Sequence, residues 1–271
     1  GDKKVKYELR SIKYELEETG VAICTYNTPK NLNALSLNNL WETFALLEHM
    51  ARDPQVRVAI WTGSGNKSFS VGADLAGDNS QFIPRNIRAK MTSRNMGPVK
   101  GDVVLNNLTK AFWDFPKPSI CAVNGLAIGA GANIALVNYH DLVLASNSAT
   151  FFYPFVKHGL APELASSFMM PRSIGMARAK ELMYLGSRFS AQEALRMGLI
   201  NRVTEQEKLL DESMKIAEEL ARLPTEPLKQ TKKLMNGHLR GRLDEILRAE
   251  QEAVVASIKA TGGPKQIKSK L

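Results

Sequence analysis

The chain has 271 residues, 44% of them apolar and 23% charged, with a formal charge of +9 and a pI near 9.5. A chain of this length buries roughly three quarters of the surface it exposes when unfolded, so it needs no disulfide or metal staples. Its composition excludes disordered, collagen-like and coiled-coil classes, while its basic balance raises nucleic acid or a membrane surface as partners.

The distribution of residues narrows those options. Residues 222–271 hold 11 Lys/Arg against 5 Asp/Glu, so most of the excess charge lies there. No aromatic-interleaved basic motif accompanies it, which argues against nucleic-acid binding. The longest apolar stretch, residues 119–139, is interrupted by Asn124, Asn133, Asn138 and three glycines, which argues against a membrane span. Cys24 and Cys121 each sit in an apolar, strand-like run and read as buried free thiols. His49, His140, His158 and His238 are scattered, so no zinc spacing arises and no metal ligand is expected.

In chain order, residues 7–26 read as two strands about a turn at Thr19-Gly20, with Tyr14, Leu16, Val21, Ile23 and Thr25 at period two. A loop with Pro29 follows. Ser36 reads as the N-cap of an amphipathic helix with Leu40, Phe44, Leu47 and Ala51 on one face, stopped at Asp53-Pro54. Residues 56–62 read as a buried strand ending in the turn Gly63-Ser64-Gly65-Asn66. Across 76–100 periodicity dissolves into a polar, basic segment expected to be a mobile insertion. Helix is expected at 103–115, strand at 119–124, helix at 129–137, and strands at 141–145 and 149–153. Beyond Pro162 helices are expected at 177–185, 190–197, 205–223, 226–236 and 243–260. Strand–helix alternation followed by a helical tail implies an α/β core with a helical extension.

Two glycine-rich turns carry the chemistry. They are Phe69-Ser70-Val71-Gly72-Ala73-Asp74-Leu75 and Asn124-Gly125-Leu126-Ala127-Ile128-Gly129-Ala130-Gly131-Ala132-Asn133, each read as leading from a strand to a helix. Small residues let backbone approach a ligand, and a helix start presents N–H groups with no partner. Two such groups aimed at one oxygen form an oxyanion hole. Neither turn has the Lys and Ser/Thr of a phosphate loop, and no G-x-G-x-x-G opens a dinucleotide fold.

Pro29-Lys30-Asn31-Leu32-Asn33-Ala34-Leu35, the first turn, the Lys117-Pro118 to Gly131 segment that contains the second turn, and Arg188-Phe189-Ser190-Ala191-Gln192-Glu193-Ala194 leading to Gly198-Leu199-Ile200 make four ordered motifs. On them the chain resembles the enoyl-CoA hydratase/isomerase (crotonase) family over about residues 14–203. The resemblance implies an α/β spiral of ββα units over residues 1–203, and a helical region over 204–271 that mediates a homotrimer or a dimer of trimers. It also implies an acyl-CoA thioester substrate, with CoA as part of the substrate and no separate cofactor.

Carried onto this chain, the oxyanion donors are the backbone amides of Ala73 and Ala130, the latter replacing a more common glycine. The two hydratase glutamates would stand at Asn133 and Phe155, and both are absent. Glu163, in Gly159-Leu160-Ala161-Pro162-Glu163-Leu164-Ala165, matches the single catalytic glutamate of the peroxisomal Δ3,Δ2-enoyl-CoA isomerases. That implies isomerisation of a 3-enoyl-CoA to the 2-trans-enoyl-CoA in unsaturated fatty-acid β-oxidation. The alternatives are a hydratase or other crotonase-family enzyme, and a non-catalytic acyl-CoA-binding subunit. Read without the resemblance, Pro162-Glu163 is simply a favourable helix start.

Substrate contacts are expected from Lys30, Asn33, Ala34, Lys67, Gly72, Asp74 and Gly131, with segment 76–100 covering the acyl chain. A basic surface suits a polyanionic CoA handle. The terminal Ser269-Lys270-Leu271 reads as a signal for the peroxisomal import receptor, which implies a peroxisome matrix or a related organelle such as a glycosome.

Overall fold

In the computed structural model, which describes residues 9–74, 101–137 and 139–264, the strands divide between two sheets. β1 (Ile12–Leu16) and β2 (Val21–Tyr26) pair antiparallel about the expected Thr19-Gly20 turn. α1 (Leu37–Arg52) starts with a reciprocal box: Ser36 Oγ accepts from the Asn39 N–H, and Asn39 Oδ1 accepts from the Ser36 N–H, both at 3.3 Å. At its other end the buried Lys117 donates from Nζ to the carbonyls of Met50 and Asp53, 2.5 Å each. Those are the orphan acceptors of a helix C-terminus.

The spiral then unfolds as β3 (Val58–Gly63), β4 (Ser68–Ser70), α2 (Gly101–Asp114), β5 (Ser119–Val123), β6 (Leu126–Ile128), α3 (Ala130–Leu136), β7 (Leu142–Ser146) and β8 (Thr150–Phe152). It continues through α4 (Ser166–Ile174), α5 (Met176–Leu185), β9 (Phe189–Ser190), α6 (Ala191–Met197) and β10 (Arg202–Thr204). Three further helices, α7 (Leu209–Arg222), α8 (Thr225–Arg240) and α9 (Leu243–Thr261), form the C-terminal helical region. The first strand of each pair β3/β4, β5/β6 and β7/β8 enters a larger sheet of order β1-β2-β3-β5-β7-β10. The second enters a smaller sheet of order β4-β6-β8-β9. All neighbours are parallel except β1/β2 and β8/β9.

Strands β3 and β5 are buried along their whole length because both sheet faces are covered. Val21, Val58, Ile60, Ile120 and Leu144 point to α7 and meet Leu209, Ala217 and Ala221. The alternate residues, among them Cys24, Trp61, Cys121 and Val123, point into the main core with Leu46, Met50 and Phe112 from α1 and α2. Both cysteines are buried and free, and burial pushes both thiols up in pKa. Among the described residues no helix is long and apolar enough to cross a membrane.

Several elements differ from the sequence expectation. β6 lies inside what reads as one glycine-rich turn, and β9 and β10 hold two and three residues, too short for a periodic signal. Pro162-Glu163 reads as a helix start, yet α4 begins only at Ser166, so those two residues are not its first turn. Residues 76–100 and 265–271, with the Ser269-Lys270-Leu271 tripeptide, lie outside the described residues.

His140 is buried beside Trp61 and Phe112, and neither ring nitrogen finds a hydrogen-bond partner among the described residues. Burial, reinforced by Lys232, pulls its pKa down to about 3. Below pH 6.5 the unfolded chain takes up a proton at this histidine that the folded chain refuses, so acidification favours unfolding. Between pH 7.5 and pH 5 this histidine should remove about 2 kcal/mol of stability. His140→Leu should flatten that part of the pH dependence, as read by urea unfolding at the two pH values. Equal slopes for both proteins would refute a neutral buried imidazole.

Candidate active site

The site is assembled where the chain passes from the larger sheet to the smaller one. A Cβ at Gly63 would lie 2.5 Å from the Ser68 carbonyl, and one at Gly125 would run into the Lys67 carbonyl. Asn124 fastens this crossing: its Oδ1 accepts from the Gly63 N–H at 3.1 Å, and its amide donates to the carbonyls of Gly65 (2.7 Å) and Ser68 (3.2 Å). The segments after β4 and β6 are thereby laid side by side.

After β4 the chain turns through Gly72, at φ +84°, a conformation that favours glycine. The Leu35 N–H donates to the Gly72 carbonyl at 2.8 Å, and the Asp74 N–H to the Leu35 carbonyl at 3.2 Å. Ala73 thus lies opposite Leu35 in a parallel bridge. In such a pair the bracketed residue points its own N–H to the other side. After β6, Gly129 at φ +55° leads into α3, whose first residue is Ala130. The Asn133 N–H closes the first turn on the Gly129 carbonyl at 2.9 Å. The amide of Ala130, at a helix start, has no intrahelical acceptor. A Cβ at Gly72 would fall 2.5 Å from the Ile128 carbonyl and 3.3 Å from the Ala130 nitrogen, while one at Gly131 would collide with the Ser70 carbonyl. The two expected donor segments therefore meet backbone to backbone.

Glu163 enters from a third segment. Its half-buried residue precedes Leu164 and Ala165, both at φ +60°. Left-handed backbone in non-glycine residues costs on the order of 1 kcal/mol or more each, so this turn needs partners. The Glu163 carbonyl accepts from the Asn133 amide at 2.9 Å and from Ser166 Oγ at 2.6 Å. The Leu164 carbonyl accepts from Tyr139 Oη at 2.6 Å. From α9, Glu250 accepts from the Ala165 N–H at 2.7 Å, the Ser167 N–H at 2.9 Å and Ser167 Oγ at 2.5 Å. Asn133 is thus a strut between α3, which starts at Ala130, and the Glu163 turn. Phe155 is buried and stacks on Tyr153. Neither position offers an acid.

The remaining expected contacts separate into two groups. Lys30 and Lys67 are exposed, and Ala34 and Asp74 are half-buried. Gly72 and Gly131 are buried and serve the close approach of the two loops. Asn33 is fully buried and at φ +54°. Its Oδ1 accepts from the Thr28 N–H (3.0 Å) and Ser64 Oγ (3.2 Å), and its amide donates to the carbonyls of Ser64 (3.1 Å) and Ser68 (2.9 Å). The side chain expected to touch substrate instead ties its own loop to the β3–β4 connection. Glu250 and Tyr139 gave no sequence signal. Glu250 sits among Glu245 and Glu252 on an ordinary charged helix, and Tyr139 looks like any core aromatic.

The family model for enoyl-CoA hydratase/isomerase matches residues 16–262. The chain belongs to that family. This family member is 34% identical to the 1,2-epoxyphenylacetyl-CoA isomerase of Escherichia coli K12, over 87% of this chain and 86% of the relative. It is 32% identical to a short-chain-enoyl-CoA hydratase of Clostridium acetobutylicum, over 88% and 86% respectively. Likeness to the enoyl-CoA delta isomerase 2 of Rattus norvegicus is lower, at 29% over 84% of this chain and 55% of the relative. The expectation of a particular resemblance to the Δ3,Δ2-isomerases is therefore only weakly supported. The crystal structure of an enoyl-CoA hydratase/isomerase from Pseudoalteromonas atlantica is 32% identical, with a TM-score of 0.79 and 92% of each chain covered.

Gly72→Ala tests the contact between the two loops. The added methyl pushes on the Ile128 carbonyl and the Ala130 amide, and should lower kcat/KM for enoyl-CoA turnover by at least about 100-fold. Steady-state kinetics check this, and unchanged turnover would show that the two segments act separately.

Proposed function

We propose that this crotonase-family chain isomerises a 3-enoyl-CoA to the 2-trans-enoyl-CoA, with Glu163 as the single acid–base group. The observation that carries the reading is the strut from Asn133 to Glu163. It ties one carboxylate-bearing turn to the helix that begins at Ala130, while the two positions where a hydratase needs acids hold an amide and a buried ring.

In the proposed reaction the thioester oxygen lies against the Ala73 and Ala130 N–H groups. The Glu163 carboxylate takes the proton from C2. The C–H electron pair forms the enolate, conjugated with the C3–C4 double bond, and the negative charge gathers on the thioester oxygen. Each backbone donor stabilises that charge by about 2.7–4 kcal/mol. Glu163 returns its proton at C4, leaving the double bond between C2 and C3 conjugated with the thioester. C2 and C4 are two bonds apart on one face, so one carboxyl serves both. The chemistry requires no metal or redox cofactor, and CoA enters and leaves with the substrate.

Hydration needs water activation and protonation on separate groups. Asn133 can supply neither and already donates its amide to the Glu163 carbonyl, so the hydratase reading ranks second despite relatives that bear that name. A purely acyl-CoA-binding subunit ranks third, because the turn bearing Glu163 is held in a strained form by side chains from three directions. A homotrimer is part of the proposal: Leu234 and Met235 on α8 are 77% and 68% exposed, as a helix face buried by a second copy requires.

The test is conversion of a 3-enoyl-CoA followed by conjugated-thioester absorbance, in the wild type and in Glu163→Gln. The substitution should lower kcat by about 10²–10⁴-fold with little change in KM. Hydration of a 2-enoyl-CoA should be slow in both. Equal isomerisation by both proteins, or rapid hydration that survives Glu163→Gln, would overturn the proposal.

A further inference from the structure

We infer that Glu250 is the positioning residue for Glu163: through it the C-terminal helix α9 fixes the turn that aims the base. The inference rests on the reading of Glu163 as the acid–base group.

Four facts carry it. Residue Glu250 is only 6% exposed, yet its carboxylate forms no ion pair among the described residues. Both of its oxygens are taken by the 165–167 segment, 83 to 85 residues earlier in the chain: Oε2 by the Ala165 N–H, and Oε1 by the Ser167 N–H and Oγ. Ala165 is the N-cap residue of α4 and has no side chain that could accept from that helix's amides, so Glu250 performs the capping from a different helix. Leu164 and Ala165 both hold left-handed backbone.

The other supports of the turn, Asn133, Ser166 and Tyr139, all grip carbonyl oxygens of residues 163 and 164. Glu250 grips the amides on the far side of the strained pair. Its removal frees the Leu164–Ala165 peptide, the next one along from the peptide that follows the Glu163 Cα, and so loosens the turn on which Glu163 sits. Glu163 and Glu250 also line one cavity of about 20 Å³, together with Leu105, Asn106 and Val254. That is room for a single water.

Helix α9 has its own anchorage on α2. The Asn106 amide donates to Gln251 Oε1 at 3.3 Å, and Lys110 pairs with Asp244. It does not depend on the turn for its place. A shift of the base by about 1 Å costs on the order of 100-fold in rate without altering how substrate is bound.

The experiment compares Glu250→Ala and Glu250→Gln with the wild type. Glu250→Gln keeps the volume and one acceptor but sets an NH₂ against a donor. Isomerisation of a 3-enoyl-CoA gives kcat and KM, and hydrogen exchange reports the amides of Ala165 and Ser167. In Glu250→Ala, kcat should fall about 100-fold while KM stays within about threefold. Glu250→Gln should fall between it and the wild type. Exchange at Ala165 and Ser167 should accelerate in both, while exchange along α9 is unchanged.

Accelerated exchange with wild-type kcat would make Glu250 a helix cap and nothing more. Unchanged exchange at both amides would remove the contact itself. Loss of kcat with faster exchange throughout α9 would assign the effect to unfolding of the helix. Each of these overturns the positioning role alone. A wild type that does not isomerise 3-enoyl-CoA overturns the Glu163 reading, and this role with it.

Discussion

Backbone meets backbone at the crossing between the two sheets, and the rest of the site depends on that approach. The strand pairs β3/β4 and β5/β6 leave the larger sheet at Gly63 and Gly125, and they return to contact at Gly72 and Gly131. At each of these places a side chain would occupy space already held by a backbone carbonyl of β4, of β6 or of the turn before β4. Two buried amide side chains, Asn33 and Asn124, satisfy the polar groups that such close packing would otherwise leave unpaired. An unpaired buried peptide group costs about as much as a lost hydrogen bond, and both side chains offset that cost at the crossing.

The same close packing bears on positions 133 and 155, where the family resemblance leads one to expect acids. At position 133 the amide joins the first turn of α3 to the Glu163 carbonyl, and at position 155 a ring joins the aromatic packing around Tyr153 and Phe189. Asn133 thereby belongs to the frame of the turn that carries Glu163, and Phe155 to the core beside it. The frame holds Leu164 and Ala165 in a backbone form they do not favour. Strain of that kind persists only where surrounding groups over-determine the conformation, and here side chains from α3, α9 and Tyr139 do so.

Buried charge plays a structural part elsewhere in the molecule. Glu42 accepts the amides of Arg10, Ser11 and Ile12 at 2.7–2.8 Å and so fixes the approach to β1. Lys117 closes α1, and its burial lowers its pKa to about 8. The positive excess near the C-terminus is also partly paired within the chain. Arg240 grips Asp114 through two hydrogen bonds, and Lys232 reaches Asp141 and the Lys117 carbonyl. Some of the charge that reads as a surface for a polyanionic substrate therefore docks α8 onto the core.

The strands and helices with a clear period, from the first hairpin through α1 and β3 to α9, are legible in the sequence, because burial on one face imposes period two or 3.6. So are the family, from four ordered motifs, and the candidate residues Ala73, Ala130 and Glu163. Strands β6, β9 and β10 are not, because two or three residues carry no period. Pro162-Glu163 resembles a helix start that the chain delays to Ser166. The roles of Asn33, Asn133 and Glu250 are invisible for a different reason. Each is set by partners 30 to 85 residues away, and an Asn or Glu has the same local pattern whether it faces water or a buried amide. The sequence by itself determined which residues could do chemistry. Only the tertiary structure decided how those residues are held, because that depends on which polar atoms the fold pairs across distant parts of the chain.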